Sequence, residues 1–167
     1  MQRMELSKLI RPAESNDLGK IAELAKIVRE DMIKHGLNQW VGNYPAYDNF
    51  YQDFSANGLF VYLQDDSIIG SVTIFVENEV AYKEVIWETK KALVVHRILV
   101  DPKLQGHGYG KDLLNYAINL GNELGFEAIK IDTHPDNIKM QKMLKSLGFQ
   151  YRGYLFSINR LAFELVL

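Results

Sequence analysis

The chain has 167 residues, 47% of them hydrophobic, with 19 Lys and Arg against 21 Asp and Glu for a formal net charge of −2. At ~100–200 residues per domain this is one folded domain, 1–167, with enough chain to bury a core, not a disordered or low-complexity polypeptide. The near-neutral balance argues against nucleic-acid binding by bulk charge, and the absence of cysteine excludes disulfides, thiolate metal sites, CxxC redox chemistry and a cysteine nucleophile.

The first residues hold no apolar run of signal-peptide length, and nowhere do ~20 apolar residues follow one another. A cytoplasmic chain with no membrane partner is therefore expected, and the lack of cysteine suits a reducing compartment. Lys8 to Arg11 reads as a short strand stopped by Pro12. Ser15 or Asn16 then caps a helix over 17–35, in which Leu18, Ile21, Ala22, Ala25, Val28 and Ile33 recur near a period of 3.6. Residues 37–57 carry Trp40, Tyr44, Tyr47, Phe50, Tyr51 and Phe54 and read as a loop followed by a short helix. These rings either pack on the core or line a substrate site.

Leu59 to Leu63 and Ile68 to Glu77 flank an Asp-Asp-Ser turn and predict an antiparallel hairpin, followed by a loop or ragged hairpin over 78–90. Ala92 to Val100 is the most apolar strand and is expected at the centre of the sheet. A glycine-rich turn and a helix bearing Leu113, Leu114, Ala117, Ile118, Gly121 and Leu124 come next, then a buried strand, Ala128 to Asp132. The strand–helix–strand unit over 92–132 predicts a right-handed parallel crossover. A last helix through Met140, Met143, Leu144 and Leu147 closes at Gly148, and strands over 149–156 and 161–167 end the chain. The fold class is α+β with a mixed sheet.

The chemistry concentrates at residues 98–111. A buried strand, a glycine-rich turn and a helix start form an anion site, because glycines admit close approach and the free N–H groups of the first helical turn point at the ligand. The spacing excludes two nucleotide folds. A G-x-G-x-x-G fingerprint starting at Gly106 and Gly108 meets Lys111 at its third glycine. A P-loop fails at Gln105 and at Asp112.

Gln105, Gly108 and Gly110 instead fill the pattern Q/R-x-x-G-x-G/A. With Val100-x-Pro102 before it, and Asp132 to Asn137 and Leu147-Gly148-Phe149 after it, the chain resembles the GCN5-related N-acetyltransferase (GNAT) family. The resemblance runs from residue 8 to 167. It implies a mixed, mostly antiparallel sheet of six to seven strands with a splayed parallel central pair, flanked by about four helices. It also implies acetyl-CoA as co-substrate, with no metal. The pyrophosphate would meet the backbone of Gln105, Gly106, His107, Gly108, Tyr109, Gly110 and Lys111, with charge from Lys111 and Lys103. The pantetheine arm would pair with Ile98 and Val100, an N–H near Leu99 would face the thioester oxygen, and Asn137 would bond the arm.

Many relatives protonate the departing thiolate with a tyrosine seven residues after the asparagine. That position is Leu144 here, which leaves Tyr151, Tyr154 or water. For the base, strand alternation places Val94, His96, Ile98 and Val100 on one face of the central strand and Leu93, Val95, Arg97 and Leu99 on the other. His96 matches a position where some relatives carry a histidine facing the amine, and it is read either as that base or as a core histidine. The glutamate of histone-type relatives falls at Val94.

His134, after the buried strand, is a second candidate. His107 reads as a phosphate or solvent contact, and His35 as a helix C-terminal residue. Glu84 and Glu88 either steer a cationic amine or form a solvated loop face. Two functions remain: direct acetyl transfer to an amine of a small molecule, amino acid or peptide, or a coenzyme A-binding sensor without chemistry. A longer acyl donor, and a monomer or homodimer, are equally compatible with the chain.

Overall fold

The computed structural model describes residues 7–167. Seven strands form one mixed sheet in the order β1-β2-β3-β4-β5-β7-β6. They are β1 Lys8–Pro12, β2 Leu59–Gln64, β3 Ser67–Val76, β4 Ala92–Val100, β5 Ala128–Thr133, β6 Gln150–Leu155 and β7 Arg160–Val166. The four helices are α1 Leu18–Lys34, α2 Tyr47–Ser55, α3 Tyr109–Glu123 and α4 Ile138–Ser146. The apolar strand β4 lies at the centre, as its composition predicts. It pairs with β5 in parallel, and every other neighbour in the sheet runs antiparallel.

Period-3.6 faces place the helices on the two sides of this sheet. Leu113, Leu114 and Ala117 of α3 and Leu144 of α4 pack on Leu93, Val95, Ile129 and Ile131. Leu18, Ile21, Leu24 and Val28 of α1 join Phe50 of α2 and Trp40 on the opposite face. A third cluster on that side gathers Tyr82, Val94, Leu155 and Ala162. The entry to α1 differs from expectation, because neither Ser15 nor Asn16 supplies its cap. A 3₁₀ turn, Ser15–Asp17, precedes the helix, and Asp17 reaches back to accept from the Glu14 N–H at 2.8 Å and from Arg11 at 2.8 Å. The two-point grip uses the carboxylate that a lone hydroxyl or amide lacks.

Strand β4 also departs from simple alternation. Thr73 pairs with His96 and Ser71 with Leu99, so β4 carries one residue more than β3 between those pairs. This is a β-bulge, and Arg97 within it has φ of 43°. Leu93 and Val95 face α3, whereas past the bulge Ile98 and Val100 face α3 and Leu99 faces α1. His96 and Ile98 therefore lie on opposite faces, which corrects the shared face read from period-two spacing.

Candidate active site

The ladder between β4 and β5 runs from Ala92 and Ala128 only as far as Val95 and Ile131. Beyond that point the two strands part, which leaves one edge of β4 unpaired. The Asp101 N–H donates to the Ile69 carbonyl on β3 at 2.8 Å. Backbone groups alternate sides along a strand, so those of Leu99 also turn to β3 and those of Ile98 and Val100 face the gap. A Cβ built on Gly70 of β3 would meet the Leu99 carbonyl oxygen at 2.7 Å, which agrees with that direction. Next to Leu99, one backbone N–H that faces the gap is therefore that of Ile98.

Below the gap the chain makes a 3₁₀ turn, Pro102–Leu104, and then the glycine-rich turn. Gly106 and Gly108 have φ of 82° and 80°, and Gly108 stands at the N-cap of α3. Such angles are strained for other residues, which explains glycine there. This turn, β4 and the start of α4 bound a cleft of about 760 Å³, within the usual range for ligand sites. Lys111, Lys139 and Lys142 lie on its wall, and Lys139 donates to the Gln105 side chain at 3.0 Å.

A second, smaller cavity of about 120 Å³ lies where the strands part, lined by His96, Asp132, Thr133, Tyr44 and Arg160 among others. Met32, Ile98, Asn137 and Met140 border both cavities, so the two meet at the gap. Val94 pairs with Lys130, and His96 and Asp132 are the next same-face residues along each strand. They flank the first unpaired step. The Tyr82 hydroxyl donates to Asp132 at 2.8 Å, and Arg160 stands 3.9 Å away. Burial raises the Asp132 carboxyl above its ordinary value, against the opposing Tyr82 hydrogen bond.

His96 is pushed down to about 4, first by burial and then by the Arg97 guanidinium. Its Nε2 lies 3.4 Å from Glu79 Oε1. Arg97 is clamped by Asp53 through two hydrogen bonds of 2.6 and 2.5 Å and donates to the Tyr44 hydroxyl at 2.9 Å. Thr73 adds a 2.7 Å bond to the same carboxylate. The four side chains hold the bulge in place.

The model of the acetyltransferase (GNAT) family matches residues 22–149. The chain belongs to this family. Its sheet and helices superpose on a GNAT acetyltransferase from Streptococcus agalactiae with a TM-score of 0.86, at 25% identity over 96% of this chain and 95% of that one. A GNAT acetyltransferase from Listeria monocytogenes gives 0.79 at 23% identity, over 96% and 95% of the two chains. The yncA protein of Salmonella typhimurium, solved with its cofactor acetyl-CoA, gives 0.69 at 16% identity, over 95% and 93%. Among curated proteins, none matches the chain.

The residues read as cofactor contacts from the GNAT pattern sit together. Ile98, Leu99, Val100, Gln105, Gly106, Gly108, Tyr109, Gly110, Lys111 and Asn137 all line the large cleft. His107 does not, and stacks on Tyr109 with ring centres 5.9 Å apart. Lys103 is exposed outside the cleft wall, its N–H bonded to Asp101. Asn137 caps α4 through the Met140 N–H at 3.1 Å and donates to Gln39 at 2.9 Å, which ties the 37–46 loop to the gap.

The proton-transfer candidates scatter. His96 lies on the small cavity. His134 lies on neither wall, and its Nδ1 accepts from the Asp136 N–H at 3.0 Å. Leu144 is fully buried in the core. Tyr151 stacks on Phe163, and Tyr154 bonds Asn159 in the last hairpin. Glu84 accepts from Ser157, and Glu88 from Arg152, so both tie the 78–90 loop to that hairpin.

Sequence reasoning missed Lys139, Lys142 and His35 on the large cleft, and Asp132, Thr133, Gln39 and Arg160 on the small one. One signal was present for Asp132: a carboxylate at the end of the expected strand Ala128 to Asp132, whose other residues, Lys130 apart, are apolar. No helix among the described residues is long and apolar enough to cross a membrane. Among those residues no group of three or more His, Cys, Asp or Glu is placed to hold a metal ion.

Proposed function

We propose that residues 1–167 act as one domain that transfers the acetyl group of acetyl-CoA directly to an amine of a small molecule, amino acid or peptide. The observation that carries this reading is the parting of β4 and β5 where two cavities meet, with His96 and Asp132 on either side. Acetyl-CoA suits the large cleft. The positive-φ turn at a helix N-terminus and Lys111, Lys139 and Lys142 answer a pyrophosphate, and the free edge of β4 answers an extended amide chain. When bound, acetyl-CoA supplies an acetyl group on a thioester.

The Ile98 N–H, held in the gap by the bulge, stabilises negative charge developing on the thioester oxygen. Asp132 attracts the acceptor ammonium and takes its proton. Its elevated pKa favours that step, and Tyr82 fixes its orientation. His96 is uncharged at neutral pH and accepts a hydrogen bond that aims the amine. His96 carries no charge to draw an ammonium and the Asp132 carboxylate does, so His96 is the positioning group and Asp132 the acceptor of the proton. With no cysteine to carry the acetyl group, transfer takes place within a ternary complex.

The test is a panel of amines incubated with protein and acetyl-CoA while free thiol is measured. Thiol release that depends on a particular amine supports the proposal. Acetyl-CoA binding without amine-dependent thiol release across a broad panel overturns it in favour of a coenzyme A sensor, the reading that Leu144 at the phenol position favours.

A further inference from the structure

Two observations that the proposed mechanism leaves unused meet at Thr133. Its side chain is 1% exposed, and its Oγ1 has no hydrogen-bond partner. Buried hydroxyls are normally paired, and this one lies beside a cavity, where a polar atom that arrives later can meet it. Thr133 lies on the wall of the small cavity, on β5, two residues past the last ladder pair.

Alternation along β5 places Thr133 on the same face as Ile129 and Ile131, toward α3 and α4. The extra residue in β4 puts Ile98 on that face too, so Ile98 and Thr133 oppose each other across the open gap. His96 and Asp132 oppose each other on the other face. The gap thus has an acidic side and a hydroxyl side. At the phenol position the helix α4 offers no O–H, because Leu144 is buried among apolar side chains.

We propose that the Thr133 hydroxyl donates a hydrogen bond to the sulfur of the departing coenzyme A thiolate. This rests on the acetyl-CoA reading above. In the transfer the amine lone pair forms the C–N bond, and the C–S bond breaks with its electron pair passing to sulfur. The ammonium gives one proton to Asp132 and so to solvent, and the nitrogen of the tetrahedral adduct gives a second to water as the neutral amide forms. The thiolate takes its proton from water, and Thr133 keeps its own.

A thioester sulfur is a weak acceptor and a thiolate a strong, charged one. The bond therefore forms as charge develops, and it acts on kcat rather than on acetyl-CoA affinity. Thr133→Val removes the hydroxyl and keeps the shape. The expected result is a kcat roughly ten- to a hundredfold lower with the KM for acetyl-CoA within about twofold, and recovery of most of the rate in Thr133→Ser.

A second readout needs no turnover. Titration of bound coenzyme A by thiolate absorbance should give a lower thiol pKa in the wild type than in Thr133→Val. An equal thiol pKa in the two proteins overturns the proposal. So does a raised KM for acetyl-CoA at unchanged kcat. Should Thr133→Val fail to fold, the wild type is compared with free coenzyme A and with Thr133→Ser. A bound thiol pKa no lower than that of free coenzyme A is then the overturning result. If the wild type binds coenzyme A but acetylates no amine, the acetyl-transfer reading fails, while the thiol titration still decides the fate of Thr133.

Discussion

The two cavities at the gap are built by different means. The large cleft takes its anion-facing part from backbone, a glycine-rich turn, a helix N-terminus and a strand edge within residues 98–111, and its remaining walls from α1 and α4. The small one is made of side chains brought together over long separations, Tyr82 with Asp132 across 50 positions and Arg97 with Asp53 across 44. A site that binds an anion through main-chain N–H groups needs a local conformation. A site that orders charges against one another needs a finished fold.

That contrast predicts that the side-chain half breaks with large energetic consequences and the backbone half with smaller ones. The largest effect is expected for Asp53→Ala. Asp53 is only 4% exposed, and its loss strands Arg97 in the bulge. Removing one partner of a buried pair costs about 3–5 kcal/mol. Thermal or denaturant unfolding measures that loss, and an effect below about 1 kcal/mol would mean the bulge holds without the clamp.

His96 gives the next effect, through pH. Its folded pKa lies below the unfolded value, so between about pH 6.5 and 4 the unfolded chain binds more protons and stability falls as pH falls. At about 1.4 kcal/mol per unit, the contribution is on the order of 3 kcal/mol at full protonation. The wild type should lose stability across that window relative to His96→Gln. Parallel pH–stability curves for the two proteins would remove the buried-imidazole account.

The backbone half should respond more gently. A Cβ on Gly108 meets nothing within 4 Å, so Gly108→Ala suffers only from its φ of 80°. That strain is worth about 1–2 kcal/mol. Its signature is a raised acetyl-CoA KM with little change in kcat, and a variant that loses kcat alone would contradict a binding role for the turn. Smallest of all, Lys142→Ala at the exposed cleft wall should weaken acetyl-CoA binding by ~1 kcal/mol or less, and only at low salt.

The same contrast explains what was legible in the sequence. The strands and helices were visible in apolar patterning, and the cleft residues of 98–111 in one short motif, because both are local properties; His35, Lys139 and Lys142 lie outside that motif. The bulge was not visible. Val94 to Val100 reads as one unbroken strand, His96 and Arg97 included, and what holds Arg97 at positive φ is a carboxylate on α2. One hidden residue then moved Ile98 off the face of His96 and toward Thr133. Glu84 and Glu88 looked available for an amine for a similar reason, since their partners Ser157 and Arg152 lie 73 and 64 positions away.

The central claim is that the acceptor's proton leaves to Asp132 at the parting of β4 and β5. Asp132→Asn tests it most directly, by kcat for the best amine of the panel across pH alongside acetyl-CoA affinity. The account predicts a kcat lower by about 10²–10⁴, with acetyl-CoA binding intact and the acid limb of the pH profile gone. A kcat within about threefold of the wild type, with that limb unchanged, would contradict it.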